Sequence, residues 1–342
     1  MIKYAKICTI SNAKDSIIKE TAPGSKKLQD LRQNLKAYTV DSSRSLKTIS
    51  IIIVSFNSRS YLKNCIDSII KFPPKLDENE YEIIIADNNS TDGSVSLIEK
   101  EYLKYSFIRL IKNDTNTGFS HANNLAIKNS NSKYYLLLNS DTEVYENSIN
   151  GLIDFFERLK EKKINIGVAG PKIINSDGSV QLSCRRFPSF INAAFYTILA
   201  GIKPDNRFSR RYKLADVDRS RPFEVDWVSG SAMMISGEAI KHAGMFDENY
   251  FMYVEDVDLC YRMWRSQFKV YYYPLIKILH HIGGSTENDL ILSQIRMQKS
   301  VLYFYIKTYK KSWKIILIPL VFPVLGFRIL ITYLKNINKK NK

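Results

Sequence analysis

TISIIIVSFN, residues 48–57, carries Ile49, Ile51, Ile52, Ile53 and Val54 in a nearly unbroken apolar run that ends on a polar Ser-Phe-Asn. A run of β-branched residues this short, apolar at odd and even positions alike, fits a strand buried on both faces. Leu62, Ile66, Ile69 and Ile70 then fall on one side of a helix over Tyr61–Lys71. The unit repeats: strand at Tyr81–Ala86 before Asp87, helix Ser94–Tyr102, strand Phe107–Ile111, helix His121–Asn129, strand Tyr134–Asn139 before Asp141. Buried strands alternating with helices predict an α/β fold, a mostly parallel central sheet with helices on both faces. Ligands bind beyond the carboxyl ends of such strands, which directs attention to Asn57, to DNNSTDGS (87–94) and to Asn139-Ser140-Asp141.

Around this core the composition is that of a folded protein: 342 residues, 25% charged and 45% hydrophobic. Its four cysteines (Cys8, Cys65, Cys184, Cys260) form no metal or disulfide spacing, which fits a reducing cytoplasm. The net charge of +16 is unevenly spread. Residues 1–48 hold ten basic against four acidic side chains, 49–298 thirty against thirty, and 299–342 ten against none. A nucleic-acid binder is expected to carry its surplus on the folded domain, so the neutral middle argues against one. The chain divides into a weakly ordered basic extension (1–48), a domain (49–298) with a nucleotide-binding half (49–145) and an acceptor and catalytic half (146–298), and a basic apolar tail (299–342).

The loops after the strands carry the chemistry. Asp87 can accept from a pyrimidine N3–H or a ribose hydroxyl, and the helix start that follows offers free N–H groups to phosphate. NDTNTGFSHANNLA (113–126) places Asn123 and Asn124 inside a helix they do not favour, either as part of a capped helix or as amides for a nucleotide. Asn139-Ser140-Asp141 has the form of a D-x-D cation site with Asn first, although an Asp at a strand end also serves as a cap or turn residue. In GMFDENYFMYVEDVDLCYRMW (244–264), Glu255, Asp256 and Asp258 crowd beside aromatics. They are an N-terminal charge cluster with an Arg262 partner, or groups poised to meet a cation or accept a proton.

IIIVSFN, ADNNSTDGS, NTGFSHANN, LLLNSDTEV, SCRRFPS, WVSGSAMMIS, GMFDENYFMYVEDVDLCYR and HHIGGS follow one another from Ser50 to about Thr286. With these segments the chain resembles the family 2 inverting glycosyltransferases of the GT-A fold, and among them the rhamnosyltransferase-type enzymes. The resemblance implies that Ser55, Phe56, Asn57, Asp87 and Asn89 bind the donor nucleoside and that Gly118, Asn123 and Asn124 line the nucleotide pocket. It gives Asp141 a Mg2+ or Mn2+ ion on the diphosphate, aided by His280, which fits the H-x-x-G-x-S spacing, with His281 the alternative. Asp256 is then the general base with Glu255 beside it, and Asp258 and Arg262 support the helix. Trp227, Ser229, Gly230, Arg185 and Arg186 are expected on the acceptor side. Asn139 stands where the motif has its first Asp, and Ser236 where relatives often carry Arg.

Arg185, Arg186, Arg207, Arg210, Arg211, Lys213, Arg219 and Arg221 make 184–221 strongly basic, a solvated loop or a set of phosphate clamps for a lipid-diphosphate acceptor. Ile315–Ile331 is apolar for 17 residues but broken by Pro319 and Pro323 and flanked by lysines. That pattern predicts a re-entrant or interfacial piece on an anionic cytoplasmic leaflet, with a final core helix as the other reading. The expected activity is sugar transfer, from a donor such as dTDP-rhamnose to a lipid-linked saccharide in cell-surface polysaccharide synthesis, at the cytoplasmic face of the cell membrane. A sugar nucleotidyltransferase is disfavoured because SFNSRSYL is no Gly-rich basic loop, and a non-catalytic nucleotide-sugar binder because Asp141, Asp256 and His280 are present.

Overall fold

The computed structural model describes residues 45–188, 206–281 and 290–323, with positions 326, 327, 329 and 333 beyond them. Of the extension expected over 1–48, residues 1–44 lie outside the described residues, as do the Gly283 and Ser285 of the H-x-x-G-x-S spacing.

The first half follows the predicted alternation: β1 (Lys47–Ser55), α1 (Arg59–Lys71), β2 (Tyr81–Asp87), α2 (Ser94–Glu101), β3 (Ile108–Lys112), α3 (Gly118–Lys128) and β4 (Ser132–Asn139). There follow β5 (Thr142–Val144), α4 (Ser148–Glu161), β6 (Ile166–Ile174), β7 (Val180–Gln181), β8 (Cys184–Arg185), α5 (Arg207–Tyr212), β9 (Phe223–Glu224), β10 (Trp227–Val228) and β11 (Ala232–Ser236). The chain closes with α6 (Gly237–Ala243), α7 (Glu255–Arg265), β12 (Lys269–His280), α8 (Leu290–Tyr309) and a 3₁₀ turn at Trp313–Leu320.

The main sheet runs β3-β2-β1-β4-β11-β6-β12-β5. β3, β2, β1 and β4 are parallel, whereas β11 is antiparallel to both β4 and β6, and β5 is antiparallel to β12. The mostly parallel sheet expected from the sequence is therefore parallel in its first half and mixed in its second. The last strand also contains a proline, Pro274. β12 runs through it because the register slips between Tyr273 and Lys277, and a bulge tolerates a residue that cannot donate to the ladder.

Each face of the sheet has its own core. Ile49, Ile51 and Ile53 point into one with Leu62, Ile66, Ile98, Leu152 and Phe156, and Ile52 into the other with Ala126, Leu259, Met263 and Phe304. Both faces of β1 are thus buried, and each isoleucine it buries is worth roughly 1.5–3 kcal/mol. Asp92 starts two helices at once: Oδ2 accepts from the Arg59 amide at 2.8 Å, and Oδ1 from the Ser94 amide at 3.0 Å. Burial opposes ionisation of Asp92, yet these hydrogen bonds outweigh it and hold the carboxyl below its usual range.

α8 runs unbroken from 290 to 309, across the boundary expected at residue 298. Its second half is packed, with Phe304 2% and Tyr305 1% exposed. Beyond it Trp313, Ile316 and Phe322 are exposed, and among the described residues no helix is long and apolar enough to cross a membrane.

Candidate active site

Strand register assembles the site. Ser55 pairs with Asp87 and Val54 with Asn139, so the ends of β2, β1 and β4 share one edge. β11 continues it: Leu138 pairs with Ala232, and the Asn139 amide donates to the Ser231 carbonyl at 2.9 Å. Gly230, just before, donates its amide to Asp256 Oδ2 at 3.0 Å. The nucleoside residues implied by the resemblance, the Asp141 segment and the proposed base therefore lie along one edge.

At the nucleoside end Asp87 is fully buried, and its two oxygens accept from the Ser90 amide (2.8 Å) and hydroxyl (2.6 Å). Asn57 and Asn89 take left-handed φ values of 49° and 66°, which Asn tolerates better than most residues. Both side chains are exposed and Phe56 is half-buried. Asn57 Oδ1 accepts from the Thr91 amide at 2.8 Å, and Asn57 lines a cleft with Ser58, Arg59 and Tyr61 at the start of α1. The loop is thus self-bonded and preorganised.

Gly118 at the start of α3 has φ +84°, and a Cβ there would sit 2.3 Å from the Phe251 carbonyl oxygen. The close approach lets the Phe119 amide donate to that oxygen at 2.8 Å, fixing α3 to the segment before α7. Asn123 donates to the Phe119 carbonyl at 2.9 Å. Asn124 bonds the Phe246 carbonyl (2.9 Å), the Phe246 amide (3.0 Å) and Glu248 (2.8 Å). Asn124 thus ties α3 to the GMFDE loop, a structural task that explains an Asn inside a helix. The buried Asn88 does likewise at the strand end, giving a hydrogen bond to the Gly118 carbonyl and accepting from Asn113 and Thr117.

Asp141 is 2% exposed, and His280 Nε2 lies 3.3 Å from its Oδ1. His280 Nδ1 is 3.0 Å from Gln181 Oε1. The Gln181 amide nitrogen donates to Asn175 Oδ1 (2.6 Å) and the His280 carbonyl (3.0 Å), so its oxygen must face the ring. Nδ1 therefore carries the proton and Nε2 points its lone pair or a second proton at Asp141. A carboxylate oxygen and an imidazole nitrogen held this way suit a divalent cation such as Mn2+. His281 instead turns to Glu143 (2.8 Å) and Ser176 (2.9 Å), so the geometry favours His280 as the partner of Asp141. Among the described residues no group of three or more His, Cys, Asp and Glu side chains gathers as a metal cluster.

α7 begins after Tyr253 and Val254, both left-handed at φ 71° and 69°. For β-branched Val254 this costs roughly 1–3 kcal/mol, a strain that surrounding contacts must offset. It aims the first turn: Glu255 is buried, its Oε2 without a hydrogen-bond partner, while Asp256 is partly open. Burial, reinforced by the Asp256 charge, pushes the Glu255 carboxyl well up. Burial raises Asp256 too, against the amides of Gly230 and Val257 and the charge of Arg185. The amides favour negative charge on Asp256, so the pair keeps its proton on Glu255. Asp258 and Arg262 form a 2.7 Å ion pair, with Arg262 also donating to the Ala243 carbonyl at 2.6 Å.

On the acceptor side Trp227 pairs with Arg185 across β10 and β8, and its indole donates to the Arg186 carbonyl at 2.9 Å. The Arg185 guanidinium lies over Trp227 and Tyr212, 5.3 and 5.7 Å from the ring centres. Ser229 Oγ is 3.1 Å from Ser231 Oγ. Arg219 is structural, bonded to Cys184 and the Lys213 carbonyl, and Arg210 pairs with Asp216. Ser236, where relatives often have Arg, caps α6 by accepting from the Ala239 amide. Asn88 lies within the DNNSTDGS segment but carries no role there by sequence alone, and Gln181, in a two-residue strand, has no local signal.

The sheet edge thus brings together polar loops, a carboxylate and imidazole pair, and a raised carboxyl pair on a helix start. The family profile described as glycosyl transferase family 2 matches residues 50–216. An N-acetylglucosaminyl-diphospho-decaprenol L-rhamnosyltransferase of Mycobacterium tuberculosis is 30% identical over 69% of this chain and 78% of its own. Rhamnosyltransferase WbbL of Escherichia coli K12 is 24% identical over 68% and 83%. The chain belongs to glycosyl transferase family 2 and is an enzyme of rhamnosyltransferase-like type. The fold is shared with GalNAc-T7 solved with UDP, GalNAc and Mn2+ (TM-score 0.52, 18% identity, 77% of this chain and 50% of that one). It is shared as well with S. aureus TarS 1-349 in complex with UDP-GlcNAc (TM-score 0.51, 15% identity, 76% and 66%). The chain thus spans half to two thirds of those solved chains.

Proposed function

We propose that the protein transfers rhamnose from dTDP-rhamnose to a hydroxyl of a lipid-linked saccharide, by one inverting displacement, in cell-surface polysaccharide synthesis. The names of the mycobacterial and E. coli relatives support the sugar, and the former the lipid diphosphate acceptor. The observation that carries the reading is Asp256: a partly open carboxylate, held by the Gly230 amide, whose affinity for a proton is raised by burial. Inverting transfer needs a base on the acceptor side and charge neutralisation on the diphosphate side. Asp256 takes the acceptor proton, and Glu255, already protonated, adds no competing negative charge. Asp141 and His280 would hold Mg2+ or Mn2+, and the ion, when bound, supplies charge neutralisation for the leaving diphosphate. Ser55, Phe56, Asn57, Asp87 and Asn89 face the nucleoside, and Arg185 and Trp227 flank the acceptor.

The same reading places the enzyme on the anionic cytoplasmic face of the membrane. Exposed Trp313, Ile316 and Phe322 beside Lys310, Lys311 and Lys314 support it, apolar insertion and charge attraction acting together. The double variant W313S/I316S should then lose co-sedimentation with anionic vesicles; undiminished binding would sink this part.

The deciding experiment incubates full-length protein with a panel of nucleotide sugars and N-acetylglucosaminyl-diphospho-polyprenol. The expected result is dTDP release from dTDP-rhamnose that requires the lipid, with an inverted anomeric centre in the product by NMR. Binding of a nucleotide sugar without release would instead indicate a non-catalytic binder.

A further inference from the structure

Side chains of α8 meet the loop that leads into α7. Ser300 Oγ donates to the Met252 carbonyl at 3.0 Å. Seven residues on, and so on the same helix face, Lys307 Nζ donates to Asp247 Oδ2 at 2.6 Å and pairs with Asp258 Oδ1 at 2.7 Å. One cation therefore joins the loop before α7 to α7 itself. Tyr303 donates to the same Asp247 oxygen at 3.0 Å, and Tyr303 packs edge-on against Tyr250. Between these ties lie Tyr253 and Val254 in their left-handed conformation, and on the other side the Phe119 amide holds the Phe251 carbonyl.

A strained pair of residues relaxes unless both flanks are held. Here one flank is held by α3 and the other by α8, and relaxation would turn the first residues of α7. We propose that Lys307 and Ser300 are positioning residues for sugar transfer: from α8 they hold the 251–254 loop in the conformation that presents Asp256 to the acceptor. This rests on the reading of Asp256 as the base. A tail helix thereby acts on turnover without touching either substrate.

The test compares full-length wild type with K307M, K307R and S300A in three measurements: transfer kinetics with dTDP-rhamnose and the lipid acceptor, dTDP titration, and amide hydrogen exchange. K307M should lower kcat about 10- to 100-fold, the scale of a small misplacement of a reacting group. Its dTDP affinity should stay within about twofold, and exchange should quicken at 251–257 while the sheet stays protected. K307R, which keeps the charge, should recover most of the turnover, and S300A should lose about 3- to 10-fold as one neutral hydrogen bond goes. Unchanged kcat in K307M and S300A overturns the proposal. So does a fall in kcat matched by lost nucleotide binding and exchange rising everywhere, which marks plain unfolding. If K307M is insoluble, S300A decides alone, and wild-type turnover in it refutes the proposal. Should wild type itself fail to transfer, the functional reading falls, while exchange at 251–257 still reports whether α8 holds the loop; unchanged protection in both variants overturns that.

Discussion

Gly230 and Asp256 are joined by a backbone amide donating to Oδ2 at 3.0 Å, although 26 residues separate them in the chain. Gly230 lies two residues before β11, which is laddered to β4, so the bond measures the carboxylate against the same strand that leads to Asp141. A Cβ on Gly230 would sit 3.4 Å from Phe119 and 3.6 Å from the Asp256 Cβ.

Asp256→Asn preserves the amide contact in shape but cannot take a proton. Turnover should fall about 10²–10⁴-fold, the usual loss for a missing general base. Nucleotide affinity by titration should stay near wild type; a variant of near-normal rate would remove Asp256 from the role.

Asp141→Ala should weaken donor-nucleotide binding when Mg2+ or Mn2+ is supplied and leave binding in chelator unchanged. Gln181→Ala, which frees the His280 ring, should weaken Mn2+ binding by about 10- to 100-fold, the typical effect of losing a group that orients a ligand. Calorimetric titration of dTDP with ion and with chelator reads the first, and titration of Mn2+ by electron paramagnetic resonance the second. Equal weakening with and without the ion would make Asp141 a structural residue.

Glu255→Gln bears on stability. The folded protein keeps a proton on Glu255 above the ordinary glutamate pKa of 4.5, so folding binds a proton that the unfolded chain has released. Stability thus declines as pH rises above that value. The variant lacks this penalty: its melting temperature should exceed wild type at neutral pH, with the gain vanishing below about pH 4, where free glutamate is itself protonated. A pH-independent difference between the two melting curves would show that Glu255 ionises normally.

Gly118→Ala meets both a positive φ and the Phe251 carbonyl. Roughly 2 kcal/mol of stability should be lost on conformational grounds with the added clash. Because Phe251 leads into the strained residues before α7, turnover should fall further than unfolding in urea accounts for.

Much of this was legible in the chain. Runs such as Ile51–Val54 and Tyr134–Leu138 read as buried strands because they are apolar at odd and even positions alike, and the two cores confirm it. The reversal at β11 was not legible, since AMMIS (232–236) is equally apolar whichever way it runs and direction depends on partners far away in sequence. Within the candidate site, Asp141 and Asp256 stand out from their own motifs, and the fold brings the two segments to one edge of the sheet. The site was opaque where a role comes from packing: Asn124 looks like a nucleotide contact and clamps Phe246, while Lys307 looks like part of a basic tail and is a half-buried tie to Asp258.

The order of strands bears on how such enzymes can be recombined. β5, which follows β4 after two residues, sits at the far edge beyond β12, and β11 from the second half lies directly against β4. A chimera cut near residue 145, to give one relative's sugar preference to another's acceptor half, would have to rebuild two foreign ladders, β4 against β11 and β5 against β12. The halves are interlocked like the teeth of a zip, so new specificity is easier to introduce by exchanging the loops along the strand ends than by exchanging whole modules.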